Sequence, residues 1–166
     1  MMKTVKICSQ LVQCLFFTCC YLFGVAISCG AVTHIEISHQ ALENFKDVSV
    51  DYSLIASSHQ DALEAGSAYP DAFYPPTCFF GQYHGVSEDT HWTQFLNASI
   101  SYINKYHPKP WNTDIQRLVA FLLGVVSHQV ADVLWHSLGI EQGFIETMAK
   151  MDFHDVYQDA HIVADT

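Results

Sequence analysis

The chain has 166 residues, half of them hydrophobic, with 17 acidic side chains against 7 basic ones and a formal charge of −10. That length suits one domain with a real core. Its acidity argues against general nucleic-acid binding, which needs Lys and Arg to neutralise phosphates, and suits a site where divalent cations offset clustered carboxylates.

Residues 1–28 read as a secretory signal peptide. Lys3 and Lys6 supply the positive start, residues 11–27 are apolar and uncharged, and Ala26 and Ser28 are the small residues before a cut at Cys29. The apolar run is short for a bilayer span and no basic stop-transfer cluster follows it. On this reading residues 29–166 are the mature domain and the protein is secreted and extracellular. Its charge becomes −12, because Lys3 and Lys6 leave with the leader while all 17 acidic residues stay. Cys29 and Cys78 are then the remaining cysteines, enough for one disulfide but not for a cysteine-rich scaffold or a thiolate zinc cage. Asn97-Ala98-Ser99 is an N-glycosylation sequon.

The rest predicts an all-α domain without repeats, low-complexity tracts or linkers. Thr33 and Glu36 have the spacing of a capping box, followed by Ile35, Ile37, Ala41, Leu42 and Phe45 at helical intervals. A second helix is predicted over 52–66, with Leu54, Ile55, Ala62 and Leu63 inward and Gly66 as its stop. Pro70, Pro75, Pro76, Gly81 and Gly85 predict an ordered loop over 69–89. Helical spacing resumes over 92–106 and ends at Pro108 and Pro110. The longest helix is predicted over 113–138. Its segment 118–126 is apolar on every side, which makes it central and buried. The nine apolar residues between Arg117 and His128 are too few to span a membrane.

His128, Asp132 and His136 follow one another at four-residue steps on that helix, so they share a stripe. A carboxylate between two imidazoles in an apolar setting needs compensation. Zinc provides it, since imidazole nitrogen and carboxylate oxygen are its usual ligands and a carboxylate can bridge two ions. A hydrogen-bonded His–Asp network is the alternative. His161 and Asp165 repeat the spacing. His34 lies in the first turn of the first helix, and a new terminus at Cys29 would offer an α-amine that a metal readily deprotonates. Asp71 sits in the proline-rich loop with His84 and His91 behind it. His39, His59, His107 and His154 read as solvated or hydrogen-bonded histidines outside any ligand set.

Several phrases resemble the family of glycosylphosphatidylinositol (GPI)-specific phospholipases D. They are Thr33-His34-Ile35-Glu36-Ile37, Tyr69-Pro70-Asp71-Ala72-Phe73-Tyr74-Pro75, and Val86-Ser87-Glu88-Asp89-Thr90-His91-Trp92-Thr93. The helix run from Ser127 through His128, Asp132 and His136 to Gly139, with Glu141-Gln142-Gly143-Phe144 after it, resembles them too. The resemblance covers residues 29–165. More distantly the chain is similar to the zinc-dependent phospholipase C and P1-type nuclease group, which implies an all-helical fold around three zinc ions.

The resemblance implies that Asp71, one loop histidine (His91 or His84), His128 and Asp132 hold a first ion. It assigns a second to the terminal amine and carbonyl of Cys29, with His34 and the bridging Asp132. His136, His161 and Asp165 would hold a third. Asp71, His34, His128, His136 and His161 form the implied catalytic set. The relatives space the helix carboxylate and the next histidine by six positions, so His136, four away, fits the phospholipase D variant better. The implied activity is hydrolysis of the inositol phosphate linkage of GPI anchors, with GPI-anchored proteins and phosphatidylinositol-glycan lipids as partners, transient contact with a membrane surface and no nucleic acid. Hydrolysis of other phospholipids or nucleic acid, and an inactive truncated secreted isoform, are the alternatives. The chain stops one residue past the last implied ligand, so the domain reads as incomplete at its C-terminus.

Overall fold

The computed structural model describes residues 30–45, 50–75, 77–140 and 142–164. The leader, Cys29 with its possible partnership to Cys78, and Asp165 lie outside the described residues. Within them there is no strand, in keeping with the all-α expectation.

Helix α1 spans Ala31–Phe45 and starts two residues ahead of the expected capping box. Thr33 and His34 sit in its first turn, with their N–H groups donating to the Gly30 carbonyl at 2.8 and 3.3 Å. The single helix expected over 52–66 is two, α2 (Val50–Ser58) and α3 (Gln60–Ala68). They break at His59, whose φ of −133° and ψ of 51° are non-helical. Leu54 faces outward, against expectation, because Ser53 and Ala56 are the buried positions of α2, while Leu63 stays buried.

Gly66 is not a helix stop. It lies inside α3, where a Cβ would come 2.0 Å from the carbonyl oxygen of Phe121. Opposite it, a Cβ on Gly124 would come 2.1 Å from the carbonyl of Leu63. Phe121 and Gly124 belong to α6 (Thr113–Trp135), so α3 and α6 cross backbone to backbone through paired glycines.

The stretch expected as a loop over 69–89 holds a 3-10 turn, Cys78–Gly81, and a short helix α4, His84–Thr90. Helix α5 spans Thr93–Tyr106 and ends before Pro108 as its prolines require. Asn112 caps α6, its side chain accepting from the Ile115 N–H at 3.0 Å. That helix stops three residues earlier than expected. Ser137 takes φ of 60°, and the Leu138 N–H closes back onto the Val133 carbonyl at 3.1 Å, a Schellman closure. Two short helices that periodicity did not single out follow, α7 (Phe144–Asp152) and α8 (Tyr157–Ala164), and they pack on each other through Ile145, Ala149 and Ala160.

Helix α6 is central but not buried on every side. Val119, Ala120, Leu122, Gly124, Val125, His128, Ala131 and Asp132 are buried, whereas Val126, Val130, Val133 and Leu134 reach the surface. By length and composition an 18-residue window of α6, with mean hydropathy 1.7, is enough to cross a membrane, more than the nine-residue count allowed. Its buried stripe lies against α3, α1 and α2 as in a core helix. That stripe steps from Ala120 and Gly124 to His128 and Asp132, so one face that begins as small residues for close approach ends as the polar site.

Gly66→Ala or Gly124→Ala should lower stability by about 3 kcal/mol through overpacking, read as a lower urea midpoint. Gly85→Ala, where nothing lies within 4 Å, should leave the midpoint unchanged or slightly raised. A wild-type midpoint for Gly66→Ala would remove the glycine crossing as a packing constraint.

Candidate metal centre

Four elements contribute side chains to a cluster at the C-terminal half of α6. Helix α1 brings His34, the turn after α3 brings Asp71, the end of α4 brings His91, and α6 brings His128 and Asp132. His34, Asp71, His128 and Asp132 are buried, and His91 is partly so.

Backbone carbonyls fix the two imidazoles of the first group. The Nδ1 of His128 donates to the Ser67 carbonyl at 2.8 Å, and the Nδ1 of His91 donates to the Ser87 carbonyl at 2.7 Å. With Nδ1 carrying the proton, it is Nε2 of each ring that faces the cluster, the orientation a metal-binding histidine needs. These two Nε2 atoms face each other at 3.2 Å. The Oδ1 of Asp71 lies 3.3 Å from the Nε2 of His91 and 3.7 Å from that of His128. The Oδ2 of Asp132 lies 3.5 Å and 3.1 Å from the same two atoms.

Donor atoms around a tetrahedral zinc with bonds of about 2.0–2.1 Å stand roughly 3.4 Å apart. The five separations here run from 3.1 to 3.7 Å. The Oδ1 of Asp71 with the Nε2 atoms of His91 and His128 form one group of acceptors, and the Oδ2 of Asp132 faces the same two nitrogens, so a proton or a cation must stand among them. The residues fit zinc in number, type and spacing.

The other oxygen of Asp132 serves a second group. Its Oδ1 lies 3.4 Å from the Nε2 of His34 and 3.8 Å from the Nε2 of His136. Asp132 thus offers one oxygen to each side, the disposition of a bridging carboxylate. His34 stacks on His128 with ring centroids 3.7 Å apart. Both of its ring nitrogens, both oxygens of Asp71 and the Oδ1 of Asp132 are buried without hydrogen-bond partners among the described residues. Each such orphan costs about 1–3 kcal/mol.

Electrostatics follow from the same packing. Burial, then the neighbouring His128 ring, pulls the pKa of His34 down to about 4, so its imidazole is neutral near pH 7. Burial also works against a charged His91, but the carboxylates of Asp71 and Asp132 and the Ser87 carbonyl prevail and raise its pKa. Asp132 is held below the usual carboxylate range. Burial opposes this, and the hydrogen bond and charge of His128, with His34 and His136 beyond, overcome it.

His136 does not lie inside α6 as expected but is its C-cap, its N–H donating to the Asp132 carbonyl at 2.9 Å. Its ring stands 5.1 Å from that of His161, so the described part of the third implied set is adjacent. The two loop histidines separate clearly. His91 enters the cluster, whereas His84 is exposed on α4 with its Nε2 3.2 Å from Glu88. Of the histidines read as outside the ligand set, His39 bonds Glu64 at 2.9 Å and His59 bonds Gln116 at 3.4 Å. Sequence reasoning missed the Ser67 and Ser87 carbonyls, because any residue has a carbonyl and only the fold chooses which one meets an imidazole. It also missed the phenol of Tyr74, which donates to Glu88 at 2.8 Å. Burial and that carboxylate hold the phenol well above its usual pKa.

Residues 33–166 match the family model for zinc dependent phospholipase C. The chain is 58% identical over 139 residues to phosphatidylinositol-glycan-specific phospholipase D of Bos taurus, covering 82% of this chain and 17% of that protein. To the Rattus norvegicus protein of the same name it is 51% identical over 166 residues, covering 99% of this chain and 19% of that one. To the Dictyostelium discoideum protein it is 43% identical over 140 residues, covering 82% and 14%. The chain therefore spans less than a fifth of the length of these relatives. No solved structure matches it significantly. With most of its length matched by the family model and its imidazoles and carboxylates gathered on α6, the chain belongs to the zinc-dependent phospholipase C family.

Proposed function

We propose that the chain is the zinc-dependent part of a secreted phosphodiesterase that hydrolyses the bond between phosphatidic acid and the inositol of a GPI anchor. The observation that carries this is the acceptor-only cluster of Asp71, His91, His128 and Asp132, with donor separations of 3.1–3.7 Å. The reaction class comes from the family, and the substrate class from the relatives' names, which specify a phosphatidylinositol-glycan.

Asp71, His91, His128 and the Oδ2 of Asp132 would hold a first zinc ion. His34 and the Oδ1 of Asp132, with the amine and carbonyl of Cys29, would hold a second, and His136, His161 and Asp165 a third. Bound zinc polarises phosphoryl oxygens and brings the pKa of a coordinated water towards neutrality. The protein side of the chemistry falls first to Asp71. Its Oδ1 faces His91 and His128, while its Oδ2, 3.8 Å from the Nε2 of His34, has no hydrogen-bond partner among the described residues. That oxygen is placed to take the proton of an attacking water. His34, neutral near pH 7, offers a lone pair there rather than a competing proton. The Ser67 and Ser87 carbonyls hold His128 and His91 still, so the site needs little reorganisation during the reaction.

The formal charge of −10 favours a lipid phosphodiester over a nucleic acid, whose dense phosphates would be repelled. GPI-anchored proteins and phosphatidylinositol-glycan lipids are the partners on this reading, met at a membrane surface.

Two predictions test metal and chemistry separately. In chelator competition, His91→Ala should weaken zinc binding by about 100-fold or more and Asp132→Asn should lower the number of ions held, whereas His84→Ala should leave both unchanged. Equal losses for His84→Ala and His91→Ala would refute the ligand assignment. Zinc-loaded protein should release a GPI-linked reporter with phosphatidic acid as the lipid product, and chelation should stop the release until zinc is returned. Asp71→Asn should cut kcat by about 10²–10³. Zinc-replete protein that leaves the reporter anchored and forms no phosphatidic acid would defeat the proposed activity.

A further inference from the structure

The segment between Asp71 and His91, two of the donors in the centre, carries an unusual turn. Phe79 and Phe80 have φ of 55° and 52°, and Gly81 has φ of 76°. The left-handed region is easy for glycine but sterically unfavourable for a bulky residue. Phe80 gains little inside the chain in return, being 91% exposed, and Phe79 is itself 61% exposed.

The turn is nonetheless braced. Phe79 stacks on Phe73 at 6.2 Å and meets Tyr83 edge-on at 5.3 Å, and Phe73 meets Tyr83 edge-on at 6.2 Å. The Cys78 N–H donates to the Ala72 carbonyl at 3.0 Å, and the Phe73 N–H donates to the Ser87 hydroxyl at 3.0 Å. Ser87 also supplies the carbonyl that orients His91. Phe80 is therefore a projecting phenyl on a stiff base joined directly to the centre, and Tyr83 and Val86, a few residues on, are exposed as well.

We propose that this turn is a bilayer-docking surface that seats the centre on a neutral or zwitterionic membrane face. Choosing a lipid occupant rests on the hydrolysis reading above, since the substrate's phosphodiester lies at a headgroup plane. Charge argues for the kind of lipid. The sequence has no Lys or Arg between Lys46 and Lys105, and Glu88 and Asp89 follow the turn, so it has no means of attracting anionic headgroups. Aromatic rings are the side chains that partition at this depth without such attraction. A bilayer accepts a protruding ring of any outline, whereas a protein partner would need a pocket shaped for it.

The test is cosedimentation with phosphatidylcholine vesicles that contain no GPI lipid, which reads docking without turnover. The chain should bind them, Phe80→Ala should lower the partition coefficient about tenfold, and Phe80→Trp should restore it. Met151→Ala, also an exposed apolar position, should change nothing. Adding phosphatidylserine should not strengthen binding. Turnover of a soluble phosphodiester should be the same for Phe80→Ala as for the wild type, which separates this surface from the chemistry. Absence of binding, binding that needs phosphatidylserine, or a Phe80→Ala loss on soluble substrate equal to that on vesicles would each overturn the proposal, whatever the reporter assay shows.

Discussion

The close crossing of α3 and α6 is the constraint from which the centre follows. Because Gly66 meets the Phe121 carbonyl and Gly124 meets Leu63, no side chain separates the two backbones. That proximity puts the Ser67 carbonyl within 2.8 Å of His128 and starts the turn that delivers Asp71 four residues later. Metal ligation tolerates errors of only about 0.2 Å, and a methyl group at either glycine would force a larger displacement. Helix packing and metal geometry here are one problem.

The cluster is unfavourable as folded protein alone. Buried imidazoles and carboxylates with orphaned acceptors oppose folding, and the opposed shifts of His34 and His91 express that tension. His34, crowded by burial and by another imidazole, resists a proton. His91, where two carboxylates and a carbonyl dominate, attracts one. Asp132 joins the two regions because its oxygens face opposite ways.

Helical and irregular parts divide the work. His34, His128 and Asp132 come from helices packed in the core, while Asp71 and His91 flank the irregular segment with the strained phenylalanines. A contact made at that segment is thus linked through Ser87 to a ligand ring. The short hydrogen-bond path lets one stretch of chain both present exposed aromatic rings and help hold the centre.

Much of this was legible in the residues. The all-α class followed from 3.6-residue periodicity, and the four-step spacing of His128 and Asp132 placed both on one stripe, because helical geometry is local and fixes which side chains align. Local rules also set the limits of such reading. Gly66 looks like a helix stop by position and composition, and its real role appears only when Phe121, fifty-five residues on, lies against it. Leu54 fits an inward pattern, but it is Ser53 and Ala56 of its helix that are buried. His84 and His91 have similar claims as ligands in sequence. Only the packing of α4 against the turn after α3 sends one ring to Asp71 and leaves the other at the surface with Glu88. The sequence by itself determined which residue types were available and which shared a helical face. The tertiary structure decided which of them meet, because convergence depends on helix crossings and backbone carbonyls that carry no mark in the order of the amino acids.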